Sequence, residues 1–334
     1  MTLAAPRFWQ AGQRPGLLLR LALGPIAGLY AAATARRVAR SGWTAPVPVI
    51  CCGNAGAGGS GKTPLAIDLA HRLAARGRHP ALLTRGHGGT RREAGRGDPV
   101  RDTASTVGDE PLLLAEAATT WRGADRAATA HLAIAAGADV LVMDDGLQNP
   151  GLGKTASLLV IDGGYGFGNG EVIPLGPLRE PIAAAASRCA AAVIIGADIT
   201  GAAAALPAGM KILRASLAPN AADLARLPPR LLAFAGIGRP EKFFATLAES
   251  GHPPLESRAF ADHRPYTEAD LAALRARAAE LGAGLATTAK DFVRLPVAWR
   301  AGIEVLRVGL HWQNEADIDS LLDEILARPC KPSS

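Results

Sequence analysis

Eight residues constrain this chain more than any others. Residues 56–63 read GAGGSGKT and fit the spacing G-x-x-x-x-G-K-[ST] at every position. An apolar run at 47–52 precedes them, and a helical pattern at 62–76 follows. That order of strand, glycine loop and helix gives the spacing its physical meaning. Glycines let backbone N–H groups curl around phosphate oxygens, and the helix N-terminus adds partial positive charge. Gly56, Ala57, Gly58, Gly59, Ser60 and Gly61 then form a phosphate cradle. Lys62 reaches the β- and γ-phosphates, and Thr63 offers its hydroxyl to Mg2+. A second GKT at 153–155 has Gln148 where the leading glycine belongs, and reads as coincidence.

Such a loop needs an acidic residue at the end of a neighbouring strand. Residues 140–145, VLVMDD, end an apolar run in two carboxylates. Asp144 is the expected Mg2+ ligand with Asp145 behind it, and the opposite assignment stays open. Residues 287–291, TTAKD, lack the asparagine of the guanine-specifying N-K-x-D, so ATP is the expected nucleotide.

Around the loop, apolar runs at 81–86, 138–146, 157–164 and 191–197 alternate with helical stretches. This predicts an α/β fold: a parallel sheet of the P-loop NTPase type, covered by helices. The Arg/Gly-rich stretch 86–106 reads as a surface loop. The pattern restarts after about residue 215, with strands at 230–238, 284–291 and 303–310 and helices at 240–249 and 267–281. The expected organisation is an N-terminal membrane-associated helical segment (1–45), a P-loop kinase domain (46–215) and a smaller α/β domain (216–334).

The N-terminal segment carries an uncharged run at 21–35, bounded by Arg20 and by Arg36 and Arg37. A full span takes about 20 apolar residues. A helix lying in the membrane interface, flanked by Phe8, Trp9 and arginines, fits the run best. A true span, a cleaved signal peptide and a helix packed on its own domain are the alternatives. Lys and Arg total 36 against 30 acidic residues, a net +6. With aromatics at 4% and no basic stripe with interleaved rings, a nucleic-acid partner is not expected. Cys51, Cys52, Cys189 and Cys330 form no C-x-x-C pair, so they read as thiols in a reducing compartment.

The chain resembles the tetraacyldisaccharide 4′-kinase (lipid A 4′-kinase) family over nearly its whole length. The resemblance is carried by GNAGAGGSGKTP (53–64), TRGHGG (84–89), VGDEPLLLA (107–115) and DDGLQN (144–149). It continues through GNGEVIPLGPLREP (168–181), AFAGIGRPEKFF (233–244), ADHRPY (261–266) and TTAKDFVRL (287–295). Each block is weak alone; their order is specific. The resemblance implies ATP-dependent phosphorylation of the 4′-hydroxyl of a tetraacyldisaccharide 1-phosphate, giving lipid IVA in lipopolysaccharide biosynthesis. It also implies ATP and Mg2+ as cofactors, and an acceptor at the cytoplasmic face of the inner membrane. The partners it implies are that lipid and an anionic membrane surface, with no obligatory protein.

A sugar hydroxyl is a poor nucleophile, so a base near the attack position helps. By the resemblance, Asp109 is the catalytic aspartate and His263 the histidine paired with it; Lys62 stabilises the transferred phosphoryl group. Asp109 alone also reads as a helix N-cap. Gln148, Arg179, Glu180 and Arg85 are the expected substrate-side residues. Arg179 and Glu180 could contact the acceptor's phosphate, support the Asp–His pair, or form a structural ion pair. Asn149 stands where the family usually has histidine, His87 replaces an aromatic, and Arg264 follows His263. Two other classes remain: a P-loop switch or metal chaperone acting through a protein, and a nucleic-acid ATPase. Neither has its diagnostic cluster or motif here.

Overall fold

The structure is a computed structural model that describes residues 6–91, 93–99, 101–262 and 264–329. His263 and Cys330 lie outside the described residues. The strands are β1 (Val49–Gly53), β2 (Pro80–Thr84), β3 (Gly95–Arg96), β4 (Thr120–Arg122), β5 (Val140–Asp144), β6 (Ala156–Asp162), β7 (Ala191–Ile195), β8 (Ile212–Pro219), β9 (Leu231–Ala235), β10 (Glu256–Ala259), β11 (Gly284–Thr288), β12 (Ile303–Leu306) and β13 (Val308–Trp312). One sheet has the order β13-β8-β7-β6-β1-β5-β2-β4-β3, the other β10-β9-β11-β12. Every pairing is parallel except β13 with β8 and β3 with β4, at the two edges of the large sheet.

The central strands are apolar on both faces because both faces are covered. Ile50 and Cys52 of β1 join a core with Leu65, Leu69 and Leu73 of the helix Lys62–Ala75. Val49 and Cys51 point the other way, toward Ala130 and Ala133 of the helix Arg126–Ala135. The leucines recur every four residues, so one face of the helix lies along the sheet. This covering on both sides is the α/β architecture that the strand–helix alternation predicts.

Three expectations differ from the fold. The apolar stretch 303–310 is two strands in two sheets, not one. The chain breaks at Arg307, whose N–H donates to Asp223 Oδ2 at 2.9 Å and whose carbonyl accepts from the Asn220 N–H at 2.9 Å. Second, the stretch from 216 onward supplies strands to both sheets. β8 runs to Pro219 in the large sheet, and the chain returns there with β13 and the helix Glu315–Leu326. Ile318, Leu321, Leu322 and Ile325 of that helix complete the core under the helix Lys62–Ala75. Arg72 holds it too, through Asp319 at 3.1 Å and through Glu315. Third, the stretch 86–106 contains β3 and a short helix, Ala104–Val107.

The N-terminal helix, Leu17–Val38, has 22 residues, of which only Ala27 and Thr34 are buried. At 1.5 Å per residue it is about 33 Å long. Leu18 is 84% and Leu29 72% exposed. Among the described residues it is the one helix long and apolar enough to cross a membrane, by length and composition. Leu19 and Leu23 are half-buried, while Leu17, Leu18, Leu21 and Leu29 face outward.

Candidate active site

In a parallel sheet the carboxyl ends of the strands open onto one crevice. β6, β1, β5 and β2 are neighbours at its centre, so their following residues converge there. The glycine loop follows β1. Gly61, at φ +86°, caps the helix Lys62–Ala75, and a Cβ there would stand 2.5 Å from Ile195 Cδ1. The positive φ is what favours glycine here. The Lys62 ammonium folds over the loop, 3.5 Å from Gly58 O and 4.0 Å from Asp145 Oδ1.

Asp144 ends β5 and is buried. The Thr63 hydroxyl donates to its Oδ2 at 2.9 Å, while its Oδ1 is buried without a hydrogen-bond partner. Burial raises its pKa to about 7; the charge of Glu110 adds to this, and Lys62 and Thr63 oppose it. Asp145 is the one non-glycine residue with positive φ among the described residues, at +50°. Such a backbone costs about 1–2 kcal/mol. Its carboxylate is gripped by Arg179 Nη1 at 3.0 and 3.3 Å. Burial raises its pKa, but Lys62 and Arg179 outweigh that and hold it below the usual carboxylate range. The two aspartates are therefore unlike: Asp145 is engaged by cations, and Asp144 keeps a bare oxygen beside Thr63.

Gln148 is buried, and its amide donates to Asn54 O at 2.9 Å and Glu180 Oε1 at 2.8 Å. Arg188 grips Glu180 at 2.7 and 2.8 Å. Arg179 and Glu180 thus do not pair with each other; they brace Asp145 and the loop backbone at Asn54. Arg85 follows β2 and is exposed beside the end of β5.

Asp109 opens the helix Asp109–Ala117, with Gly108 at the cap position. Its Oδ2 accepts from Arg294 Nε at 2.6 Å. Arg294 Nη1 also donates to Asp291 Oδ1 at 3.0 Å and Gly236 O at 2.6 Å. Asp291, fully buried, accepts further from the Tyr266 hydroxyl and the Gly236 N–H, each at 2.9 Å. Val107 and Leu112 pack with Val293 beside this chain of contacts.

A family model described as tetraacyldisaccharide-1-P 4′-kinase matches residues 19–327. The chain belongs to this family. The tetraacyldisaccharide 4′-kinase of Gluconacetobacter diazotrophicus is 54% identical over 319 residues, 96% of this chain and 97% of that one. Those of Gluconobacter oxydans and Rhodospirillum centenum are 48% and 49% identical, each over 97% of this chain and over 98% and 97% of their own length. The "apo" form LpxK from Aquifex aeolicus in complex with ATP shares the fold, with a TM-score of 0.73 at 23% identity. The match covers 92% of this chain and 99% of that one. Membership makes the chain a kinase.

Several residues of this family member's site carried no signal in the sequence. Arg126 is buried and donates to Gly123 O at 2.8 Å and, more loosely, to Asp144 O at 3.4 Å. Burial lowers its pKa to about 10, while Asp144 raises it. Arg239 pairs with Asp162 at the end of β6, with Lys242 at 4.0 Å. Arg294 sits in the block TTAKDFVRL, but only the fold shows it reaching Asp109.

Proposed function

We propose that the chain transfers the γ-phosphoryl group of ATP to the 4′-hydroxyl of a tetraacyldisaccharide 1-phosphate, a lipid A precursor, at a membrane surface. The observation that carries this is the meeting of two half-sites. A complete phosphate cradle with Lys62 and the Thr63–Asp144 pair stands on the large sheet. The helix Asp109–Ala117, with Asp109 as its first residue, packs against the helix Lys62–Ala75 that follows the cradle, Leu114 sharing a core with Leu65 and Leu69.

The donor set fits Mg2+. Thr63 Oγ1 and the unpartnered Asp144 Oδ1 are hard oxygen donors, and Asp144 is buried where a cation offsets the cost of its charge. Thr63 and Asp144 would hold the ion, with Asp145 behind them. When bound, it supplies neutralisation of charge on the β- and γ-phosphates. Lys62 and the loop amides bind and orient the phosphates. Asp109, with His263, takes the acceptor's proton as the sugar oxygen attacks. Arg294 fixes the Asp109 carboxylate in place for that transfer.

The exposed leucines of Leu17–Val38 and the arginines at its end suit an anionic bilayer. A position on the cytoplasmic side follows from the need for ATP. The test is incubation of the full-length protein with the lipid precursor and radiolabelled ATP–Mg. Labelled bisphosphorylated lipid is expected. Normal ATP binding with no labelled lipid would falsify the assignment.

A further inference from the structure

Residues 163–179 touch two segments that are far apart in sequence. On one side is the phosphate cradle. The Ala57 N–H donates to Pro177 O at 2.8 Å, and the Arg179 N–H donates to Ala55 O at 2.7 Å. These bonds fix which loop amides remain free to face phosphate. On the other side is the segment ahead of the N-terminal helix. Trp9 Nε1 donates to Pro174 O at 3.1 Å, and Trp9 O accepts from the Asn169 N–H at 2.9 Å. Arg20 pairs with Glu171 at 3.2 Å.

Asn169 is the junction. Its Nδ2 donates to Phe8 O at 2.7 Å and to Leu175 O at 2.9 Å, and its Oδ1 accepts from the Glu171 N–H at 3.0 Å. One amide therefore both shapes the turn 169–175 and clasps the N-terminal segment. The packing has no slack. Gly168 is at φ +60°, and a Cβ there would stand 2.3 Å from Trp9 O and 2.6 Å from Pro177 Cγ. The peptide that meets Trp9 is the one that meets Pro177, and Pro177 holds the cradle.

We propose that Asn169 is a positioning residue for nucleotide binding: it carries the docking of residues 7–20 to the phosphate cradle, so that a docked N-terminal segment means tighter ATP binding. This rests on the kinase reading above only in taking ATP as the nucleotide. The segment that faces lipid and the loop that holds ATP are then one mechanical unit.

The test titrates a fluorescent, non-hydrolysable ATP analogue with Mg2+ into the full-length protein carrying Asn169→Ala, Trp9→Phe or both. Asn169→Ala is expected to weaken binding about fivefold or more, and Trp9→Phe, which removes the indole N–H together with its five-membered ring, about twofold. The double variant should bind about as weakly as Asn169→Ala alone, with no further loss from Trp9→Phe, because both changes cut one path. In turnover assays Asn169→Ala should raise KM for ATP and keep kcat. A fold-wide defect would lower kcat and leave KM unchanged.

Affinity of Asn169→Ala within about twofold of wild type, or fully additive losses, overturns the proposal. Should Asn169→Ala fail to fold, Trp9→Phe decides, and unchanged affinity in that variant overturns it. Binding is read without the lipid acceptor, so failure here leaves the proposed reaction standing, and failure of the reaction leaves this result intact.

Discussion

Arg294 and Asp109 meet at 2.6 Å, Nε to Oδ2, across 185 residues of sequence. Arg294 follows β11 of the smaller sheet, while Asp109 lies between β3 and β4 of the large one. The side chain of Arg294 is only 3% exposed and holds Asp291 through Nη1. One guanidinium thus fixes the proposed base and ties the two sheets together at the crevice.

Removing it should therefore affect both rate and stability. Arg294→Ala removes the guanidinium that Asp291 and Asp109 share, a loss of about 3–5 kcal/mol for a broken buried pair. The melting temperature should drop and kcat should fall by about tenfold or more. Arg294→Lys keeps the charge but loses the fork, so it should lie between. Wild-type kcat in a folded Arg294→Ala protein would remove Arg294 from the mechanism.

Lys62 and Thr63 should separate by readout. Lys62→Ala removes a cation from the transferred phosphoryl group and should lower kcat by about a hundredfold. Thr63→Ala removes a hydroxyl from the Asp144 pair and should raise the Mg2+ concentration needed for half-maximal rate. An unchanged Mg2+ titration in Thr63→Ala would show that Thr63 does not touch the ion.

The exposed face of the N-terminal helix should set vesicle binding. Changing Leu17, Leu18, Leu21 and Leu29 to Gln removes apolar side chains each worth about 1.5–3 kcal/mol when buried. Flotation with anionic vesicles should be lost. Thermal stability should hold, since these side chains are exposed in the folded chain. Unchanged flotation would mean that another surface meets the membrane.

Tyr266 tests the support behind Arg294. Its hydroxyl donates to buried Asp291 at 2.9 Å. Tyr266→Phe should cost about 1.5–3 kcal/mol in denaturant unfolding, the range for a bond to a charged group. Gly236, Thr288 and Arg294 still satisfy Asp291, so turnover should change little. A large loss of kcat with full stability would place Tyr266 in the chemistry instead.

What the sequence discloses follows from where the constraint is local. The phosphate loop is legible because its task is done by consecutive residues, 56–63, between a strand and a helix. β1, β5, β6 and β7 are legible because burial on both faces makes them continuous apolar runs. β10, with the residues ESRA, is mostly exposed and has no apolar pattern to read. The break at Arg307 is hidden because residues 303–310 look like one strand; it is made by Asp223 and Asn220, more than 80 positions away. The same distance in sequence hides the contact between Arg294 and Asp109. The residues of the motifs are readable, but the partners that orient them are not.

The 4′-hydroxyl as the attacking group can be tested directly in a single-turnover reaction with radiolabelled ATP–Mg. Two acceptors are compared, the disaccharide 1-phosphate lipid and its 4′-deoxy analogue. Label should pass to the first and not to the second, with ATP consumed only where the hydroxyl is present. Equal labelling of both lipids, or of neither while ATP is bound, would contradict the proposed reaction.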